Sequence, residues 1–160
     1  MSNKDSRYLR IAEIWAENSK AKRKKVGAII VKNKMIISDG YNGTPSGFPN
    51  ECETALYDRA LGYPIDPLDD DLDEVNHDPT GWETKPEVLH AEANAITKIA
   101  KSTNSSEGST LYVTVSPCIE CAKLIIQAGI KRVVYREKYR KSQGLELLDE
   151  AGIQNLCLKS

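Results

Sequence analysis

The stretch "TLYVTVSPCIECAKLIIQAGIKRVVYRE", residues 110–137, decides the fold because a helix pattern lies between two apolar strand patterns. The strands are expected at 110–116 and 131–137, and the helix at about 118–127. Gly129 stands where a glycine commonly ends a helix. Two strands joined by a helix form a right-handed βαβ unit, so this half of the sheet should be parallel.

Helix and strand patterns continue on both sides of this unit. Helices are predicted at about 4–19, 89–101 and 144–150, and strands near 26–31, 35–40 and 153–159. The short polar run "KNK" between two of these strands predicts an antiparallel hairpin. The expected class is therefore α/β, a three-layer α/β/α arrangement around a five-stranded mixed sheet.

Residues 51–88 differ in charge from the rest of the chain. They contain twelve of the 23 acidic residues and two of the 22 basic ones, a net charge of −10 against +9 elsewhere. A helix is possible at "CETALYDRAL", 52–61, but residues 63–86 are too acidic and too often interrupted by proline to form a core. We predict one domain over residues 1–160 with an acidic insertion at about 51–88. The charges suit either an anionic ligand on the basic side or a solvated acidic loop.

No apolar run approaches the roughly 20 residues that span a bilayer, and the first ten residues lack the apolar block of a signal peptide. We therefore expect a cytoplasmic protein without a membrane partner. In a reducing compartment, its four cysteines are ligands or buried thiols rather than a disulfide framework.

One of the two histidines and half of the cysteines lie close together in sequence, in "HAEANAI" (90–96) and "SPCIECA" (116–122). A lone histidine is usually structural, and a lone C-x-x-C can be a redox pair. Both stretches open helices, however, so two helix N-termini could converge. One histidine and two cysteines are the three ligands expected of a catalytic zinc with an open fourth position. Glu92 points about 200° around the helix from His90, so it should reach a molecule at the metal rather than the metal itself.

These two stretches resemble the H-x-E…P-C-x-x-C signature of the zinc-dependent nucleoside and nucleotide deaminases. The stretches "VGAIIVKNKMIISDGYNGTPSG" (26–47) and "VVYREKYRKSQGLELLDEAGI" (133–153), with the insertion between the hairpin and His90, resemble the deoxycytidylate deaminases within that superfamily. The resemblance covers most of residues 8–155.

The resemblance implies hydrolysis of dCMP to dUMP with release of ammonia, which would supply dUMP for thymidylate synthesis. His90, Cys118 and Cys121 would hold one zinc ion per chain. Glu92 would take a proton from the water that the metal activates, pass it to N3 of the ring and later protonate the departing amine.

Further site residues follow from the same resemblance. Asn42 would lie beside the substrate sugar, although it could be only a turn residue, and Tyr139 would contact the nucleotide unless it is a packing tyrosine. The backbone of Ser116 and Thr44 would line the base pocket.

Some family members hold a second, structural zinc, but the matching position before "KRKKVG" is Ala21 here and the insertion offers only Cys52 and His77. Two ligands do not make a structural site. We therefore predict a single zinc, with Cys52 and Cys157 as inert thiols. The basic run 22–25 is either a solvated face or a phosphate contact.

The resemblance also implies activation by dCTP and inhibition by dTTP in a homohexamer. The loop "GYNGTPSGFPN", 40–50, is rich enough in glycine and proline to offer backbone N–H groups to a triphosphate, through Gly43, Ser46 and Gly47. The acidic segment from Glu51 could hold the Mg²⁺ that accompanies it. Alternatively, the loop only closes the substrate pocket.

Two other functions are compatible with the zinc signature. A tRNA adenosine deaminase shares it and would explain the basic charge outside the insertion, but the acidic segment would repel a polyanion, so we expect no nucleic-acid partner. A zinc-stabilised binding module would leave Glu92 without a function.

Overall fold

The computed structural model describes residues 3–56 and 79–159. These residues form four helices and seven strands, in the order α1 (Asn3–Ala16), β1 (Gly27–Lys32), β2 (Met35–Tyr41), β3 (Glu53–Leu56), β4 (Gly81–Thr84), α2 (Ala91–Ile99), β5 (Thr110–Val115), α3 (Ile119–Gln127), β6 (Arg132–Glu137), α4 (Gln143–Glu150) and β7 (Gln154–Cys157). None of these helices is long and apolar enough to cross a bilayer.

Five strands form one mixed sheet in the order β2-β1-β5-β6-β7. Strand β1 pairs antiparallel with both β2 and β5, whereas β5, β6 and β7 run parallel. The helices between the parallel strands end as the sequence predicted, because Gly129 and Gly152 each adopt a φ of +71° directly after the last helical turns. The predicted α/β class and mixed sheet are confirmed.

The sheet is covered by helices on both faces. On one face Leu9 and Ala12 of α1 pack against Ile29 and Val134 of the sheet. The opposite face is buried beneath α2, α3 and α4. Side chains that alternate along each strand point to opposite faces of the sheet and therefore contribute to two separate cores. This is the three-layer arrangement that the sequence predicted.

The helix predicted at 52–61 is wrong for its described part. Residues 53–56 form β3, which pairs antiparallel with β4 in a separate two-stranded sheet. The cause is a pairing between distant residues, Glu53 with Thr84, which overrides a local helical spacing. Residues 57–61 and His77 lie outside the described residues.

The first helix is shorter than predicted. It ends at Ala16 instead of about residue 19, because the next three backbone N–H groups donate to carbonyl oxygens three residues earlier. Bonds of this spacing form a tight final turn rather than a further α-helical turn. The chain leaves this turn as an irregular segment that leads to β1.

Candidate active site

Two helix N-termini bring the predicted metal ligands together. His90 is the N-cap residue of α2 and Cys118 is the N-cap residue of α3, both in extended conformation, and Cys121 lies in the first turns of α3. The Sγ atoms of Cys118 and Cys121 are each 3.4 Å from His90 Nδ1. All three ligand atoms lie within 4.8 Å of one another, and Glu92 does not belong to this cluster.

The cluster fits a zinc ion. One imidazole nitrogen and two sulfurs are donors that zinc prefers, and three protein ligands are the number found in catalytic zinc sites. Hydrogen bonds from Cys121 and His90 lower the pKa of Cys118 to about 3, whereas the neighbouring Cys118 sulfur and burial raise the pKa of Cys121. A cation at this point would favour the thiolate form of both sulfurs.

Glu92 lies in the first turn of α2, two residues after the histidine ligand. Its side chain is only 4% exposed, and burial raises the pKa of its carboxyl group. A raised pKa favours the protonated form of this carboxyl group, which suits a residue that has to hold a proton during a reaction. Glu92 lines the same cavity as His90 and Cys118.

This cavity has a volume of about 380 Å³, within the range of about 300–1,000 Å³ of small-molecule sites. Its walls come from five parts of the fold. They are the segment before β1 together with Asn42, the start of α2, the end of β5 with the start of α3, the residues after β6, and one residue from each of β3 and β4.

The structure places Asn42, Ser116 and Tyr139 around this cavity. Asn42 Oδ1 accepts a hydrogen bond from the Val26 N–H (2.8 Å), and its Nδ2 donates to the Lys24 carbonyl (2.9 Å). The side chain therefore holds the cavity wall and keeps one N–H available. Ser116 Oγ accepts a hydrogen bond from the Tyr139 N–H (2.7 Å), which fixes the start of the segment after β6.

Thr44 lies elsewhere. Its hydroxyl donates to the Pro49 carbonyl (3.0 Å), and it borders a second cavity of about 260 Å³ formed by the loop after β2. The predicted effector residues Gly43, Ser46 and Gly47 line that same second cavity. The geometry thus separates Thr44 from the metal cluster and groups it with the proposed effector loop.

The basic residues before β1 divide between two environments. Arg23 and Lys24 line the main cavity, whereas the Lys22 ammonium lies 3.5 Å from the centre of the Trp82 ring and Lys25 Nζ donates to the Glu17 carbonyl. A basic run in sequence does not reveal this division, because only the fold determines which side each residue faces.

Glu53 also lines this cavity and was not singled out from the sequence, whereas Lys138 and Arg140 belong to the basic stretch 136–141 that the sequence indicated for a phosphate. Lys138 and Arg140 flank Tyr139 and are exposed. Glu53 is 8% exposed, and the segment that contains it gave a helical signal that concealed its position. The neighbouring Cys52 is buried and its thiol pKa is raised by burial, which suits an unreactive thiol.

Comparisons with known proteins agree with this geometry. Residues 2–137 match the family described as "Cytidine and deoxycytidylate deaminase zinc-binding region". The deoxycytidylate deaminase of Enterobacteria phage T4 is 38% identical, over 94% of this chain and 88% of its own length. That of Pongo abelii is 37% identical, over 91% of this chain and 74% of its own length.

A solved structure extends the similarity to the fold. The dCMP deaminase from the cyanophage S-TIM5, in complex with dCMP and dUMP, has a TM-score of 0.76 and 40% sequence identity, over 100% of this chain and 99% of its own. A family match over most of the chain, a zinc-type ligand cluster and a shared fold lead to one assignment. The chain belongs to the cytidine and deoxycytidylate deaminase family.

Proposed function

We propose that the protein is a deoxycytidylate deaminase, which hydrolyses dCMP to dUMP and ammonia. The observation that carries this proposal is the buried carboxylate of Glu92 in one cavity with His90 and Cys118, in a chain that is 40% identical to a dCMP deaminase solved with dCMP and dUMP. The activity would supply dUMP for thymidylate synthesis.

In the proposed mechanism, His90, Cys118 and Cys121 would hold zinc, which when bound would supply the Lewis acidity that makes water nucleophilic near neutral pH. Glu92 accepts one proton from water in the site and donates it to N3 of the ring as the water oxygen bonds to C4. It then takes the second proton from that oxygen and donates it to the amine, so that the C4–N bond breaks and ammonia leaves. Its burial supports both steps, because a raised pKa allows the carboxyl group to hold the proton between them.

The substrate base and sugar would lie between Glu92 and the opposite wall of the cavity. Asn42 would offer its second Nδ2 N–H to the sugar, and Tyr139 and the backbone of Ser116, which line the same cavity, would contact the nucleotide. Thr44 lies at the second cavity, so the geometry favours Asn42 over Thr44 as the residue that contacts the substrate from this loop.

The phosphate would bind at the cationic rim of the cavity, formed by Arg23, Lys24, Lys138 and Arg140. Lys24 Nζ is 2.7 Å from Glu137 Oε2, but both side chains are more than half exposed. Exposed ion pairs contribute about 0–1 kcal/mol, so a doubly charged phosphate can compete for Lys24. Within the described residues, the other three cations form no ion pair.

Turnover of dCMP, deoxycytidine and dCTP by the purified zinc protein tests this proposal, with an unmodified tRNA as a fourth substrate. We expect dCMP to have a kcat/KM at least about 100-fold above that of deoxycytidine, because charge-assisted hydrogen bonds to phosphate are lost with the nucleoside. Equal values would contradict a phosphate site at the rim. Conversion of adenosine to inosine in the tRNA would favour the adenosine deaminase instead.

We further propose that dCTP activates and dTTP inhibits the enzyme in a homohexamer. The second cavity supports this proposal, because it combines Gly43, Ser46 and Gly47 with the cationic Lys98. Two contacts join its loop to α2 and to the residue just before the N-cap of α2. Gly43 exchanges backbone hydrogen bonds with Leu89 (3.1 and 2.9 Å), and Asn94 Nδ2 donates to the Tyr41 carbonyl (2.7 Å).

Because Glu92 lies in α2, a change in the loop that shifts this helix would also shift the proposed catalytic carboxylate. A triphosphate in the second cavity would reposition the start of this helix, and such coupling between sites typically amounts to about 1–3 kcal/mol. Mg²⁺ would accompany the triphosphate, with an oxygen from Glu51, the acidic residue that directly follows the loop in sequence.

A further inference from the structure

The segment Lys22–Val26, between α1 and β1, forms the part of the cationic rim that contains Arg23 and Lys24. It has no helical or strand hydrogen bonds of its own. A loop that presents two cations to one phosphate needs a defined backbone, because each cation otherwise samples many positions and ordering it reduces affinity. The contacts that hold this segment therefore matter for binding.

Glu53 supplies the principal contact. Its Oε1 and Oε2 each accept a hydrogen bond from the Lys22 N–H at 3.0 Å, and Oε1 accepts a second from the Arg23 N–H at 3.2 Å. The residue is 8% exposed, and it forms no ion pair within the described part of the chain. A buried carboxylate is costly unless it is hydrogen-bonded, so these backbone N–H groups stabilise it.

The rest of the two-stranded sheet holds the same segment. The Lys22 ammonium lies over the Trp82 ring, and Arg23 Nη1 donates weakly to Thr84 Oγ1 at 3.4 Å. From the other side, Asn42 binds the backbone at the end of the segment. The segment is thus fixed between β3 and β4 on one side and the loop after β2 on the other.

The location of Glu53 needs an explanation, because a carboxylate that lines an anion-binding cavity repels the anion. A carboxylate has a specific advantage here, since it is acceptor-only and its two oxygens can receive several adjacent backbone N–H groups. An amide offers one oxygen, and alanine offers none.

We infer that Glu53 is a positioning residue for phosphate recognition: it orients the backbone of Lys22 and Arg23 so that the side chains of Arg23 and Lys24 face the substrate phosphate. This inference rests on the proposed function, and it adds to it a residue that contacts neither the metal ligands nor Glu92. The contribution of Glu53 should appear in KM for the phosphorylated substrate and not in kcat.

Steady-state kinetics with dCMP test this inference in Glu53→Ala and Glu53→Gln, with Glu83→Gln as the matched control. Glu83 is an exposed carboxylate in β4 of the same two-stranded sheet, and it pairs with Thr54 of β3. For Glu53→Ala we expect KM for dCMP and the inhibition constant of inorganic phosphate each to rise at least about tenfold, with kcat within about twofold of the wild type. Glu53→Gln keeps one acceptor oxygen, so its KM for dCMP and its inhibition constant for phosphate should lie between those of the wild type and Glu53→Ala.

Zinc content and urea denaturation of each variant show whether the substitution has disturbed the metal site or the stability of the whole fold. An unchanged KM in Glu53→Ala would overturn the inference, and so would a fall in kcat equal to the loss in kcat/KM, which indicates a general structural contribution. If Glu53→Ala does not fold, Glu53→Gln decides the question by the same two measures. Absence of dCMP turnover in the wild type would instead refute the proposed function, so the two failures are distinguishable.

Discussion

At the scale of single residues, the proposed mechanism assigns metal binding and proton transfer to different side chains. His90, Cys118 and Cys121 form the cluster of predicted metal ligands, and Glu92 is not a member of it, although it is two residues from His90 and interacts with the Cys121 side chain. The helix accounts for this separation, because His90 is the extended N-cap residue and Glu92 belongs to the first helical turn. Each group can therefore be removed without the other.

Glu92→Gln should keep a full complement of zinc and reduce kcat by about 10³-fold or more, because the amide has the size of the carboxyl group but cannot transfer the proton. Cys118→Ala should instead lose the metal, since two ligands remain. Metal analysis and dCMP turnover measure both effects. Glu120→Gln, an exposed carboxylate in the first turn of α3, is the control and should change neither. Retention of turnover in Glu92→Gln would refute the proposed role of Glu92, whereas a wild type that binds zinc but does not turn over dCMP would favour the binding module.

At the scale of elements, the position of α2 depends on a close contact with β2. A side chain at Gly40 would collide with the backbone of α2, at Ala91 O and at Ala95 N (2.6 Å). The strand and the helix therefore approach each other more closely than any larger residue permits. Because His90, a predicted metal ligand, is the N-cap residue of α2, this contact helps to fix the position of the candidate site.

Gly40→Ala should lower the free energy of unfolding by about 1–3 kcal/mol, the usual cost of overpacking, and should also reduce kcat/KM because α2 must move. Urea denaturation and dCMP kinetics measure the two effects. Gly81→Ala is the control, since a methyl group there would meet its nearest neighbour, Leu56 Cδ1, at an ordinary 3.7 Å. Wild-type activity in Gly40→Ala would show that the position of α2 tolerates a shift.

The elements also show what the sequence could and could not predict. Local periodicity and glycine end signals were sufficient for β5, α3 and β6, and the chemistry of zinc required the ligand types that the signature contains. The pairing of β3 with β4 joins residues about 30 positions apart, and local patterns carry no signal for it. The position of Glu53 beside Lys22 depends on that pairing, so the residue could not be singled out before the fold was known.

A buried network fastens α1 to the sheet. Arg132 Nη1 and Nη2 donate to the two Asp5 oxygens at 2.8 and 2.9 Å, and the Tyr112 hydroxyl donates to Asp5 Oδ1 at 2.7 Å. The hydrogen bonds from Arg132 are the main reason that the pKa of Asp5 is lowered. A carboxyl group whose folded-state pKa is lowered stabilises the protein above its unfolded-state pKa, and this stability is lost as pH falls through the folded-state value.

Asp5→Asn should therefore lower the free energy of unfolding by about 2 kcal/mol at pH 7, since the amide places an N–H group against the Arg132 donors. The difference from the wild type should begin to shrink below about pH 4, where Asp5 of the unfolded wild-type chain becomes protonated. Urea denaturation of both proteins at a series of pH values measures this difference in the free energy of unfolding. Glu150→Gln, an exposed change at the end of α4, should show little difference at any pH. A difference for Asp5→Asn that is independent of pH would contradict the charge-based explanation.

At the scale of the whole molecule, the two cavities lie at opposite ends of a short connection through α2. The main cavity contains His90 and Glu92 at the start of this helix, and the second cavity contains Asn94 and Lys98 farther along it. Phe48 of the loop is 62% exposed beside the second cavity, which leaves an apolar surface available to a base or to a neighbouring subunit. Ligand binding and assembly could therefore act on the same loop.

Dependence of dCMP turnover on triphosphates tests the proposed regulation, with light scattering to measure the assembly. dCTP with Mg²⁺ should shift the dCMP saturation curve to lower concentrations and dTTP with Mg²⁺ should shift it to higher ones, in a hexamer.

Lys98→Ala removes a cation from the second cavity and should raise the dCTP concentration needed for half-activation, because a triphosphate loses one charged partner. Lys101→Ala, three residues farther along in an exposed position outside this cavity, is the matched control. Hyperbolic curves that neither triphosphate moves, obtained from a monomer, would refute the regulatory proposal and leave the catalytic one intact, because His90, Cys118 and Glu92 line the other cavity.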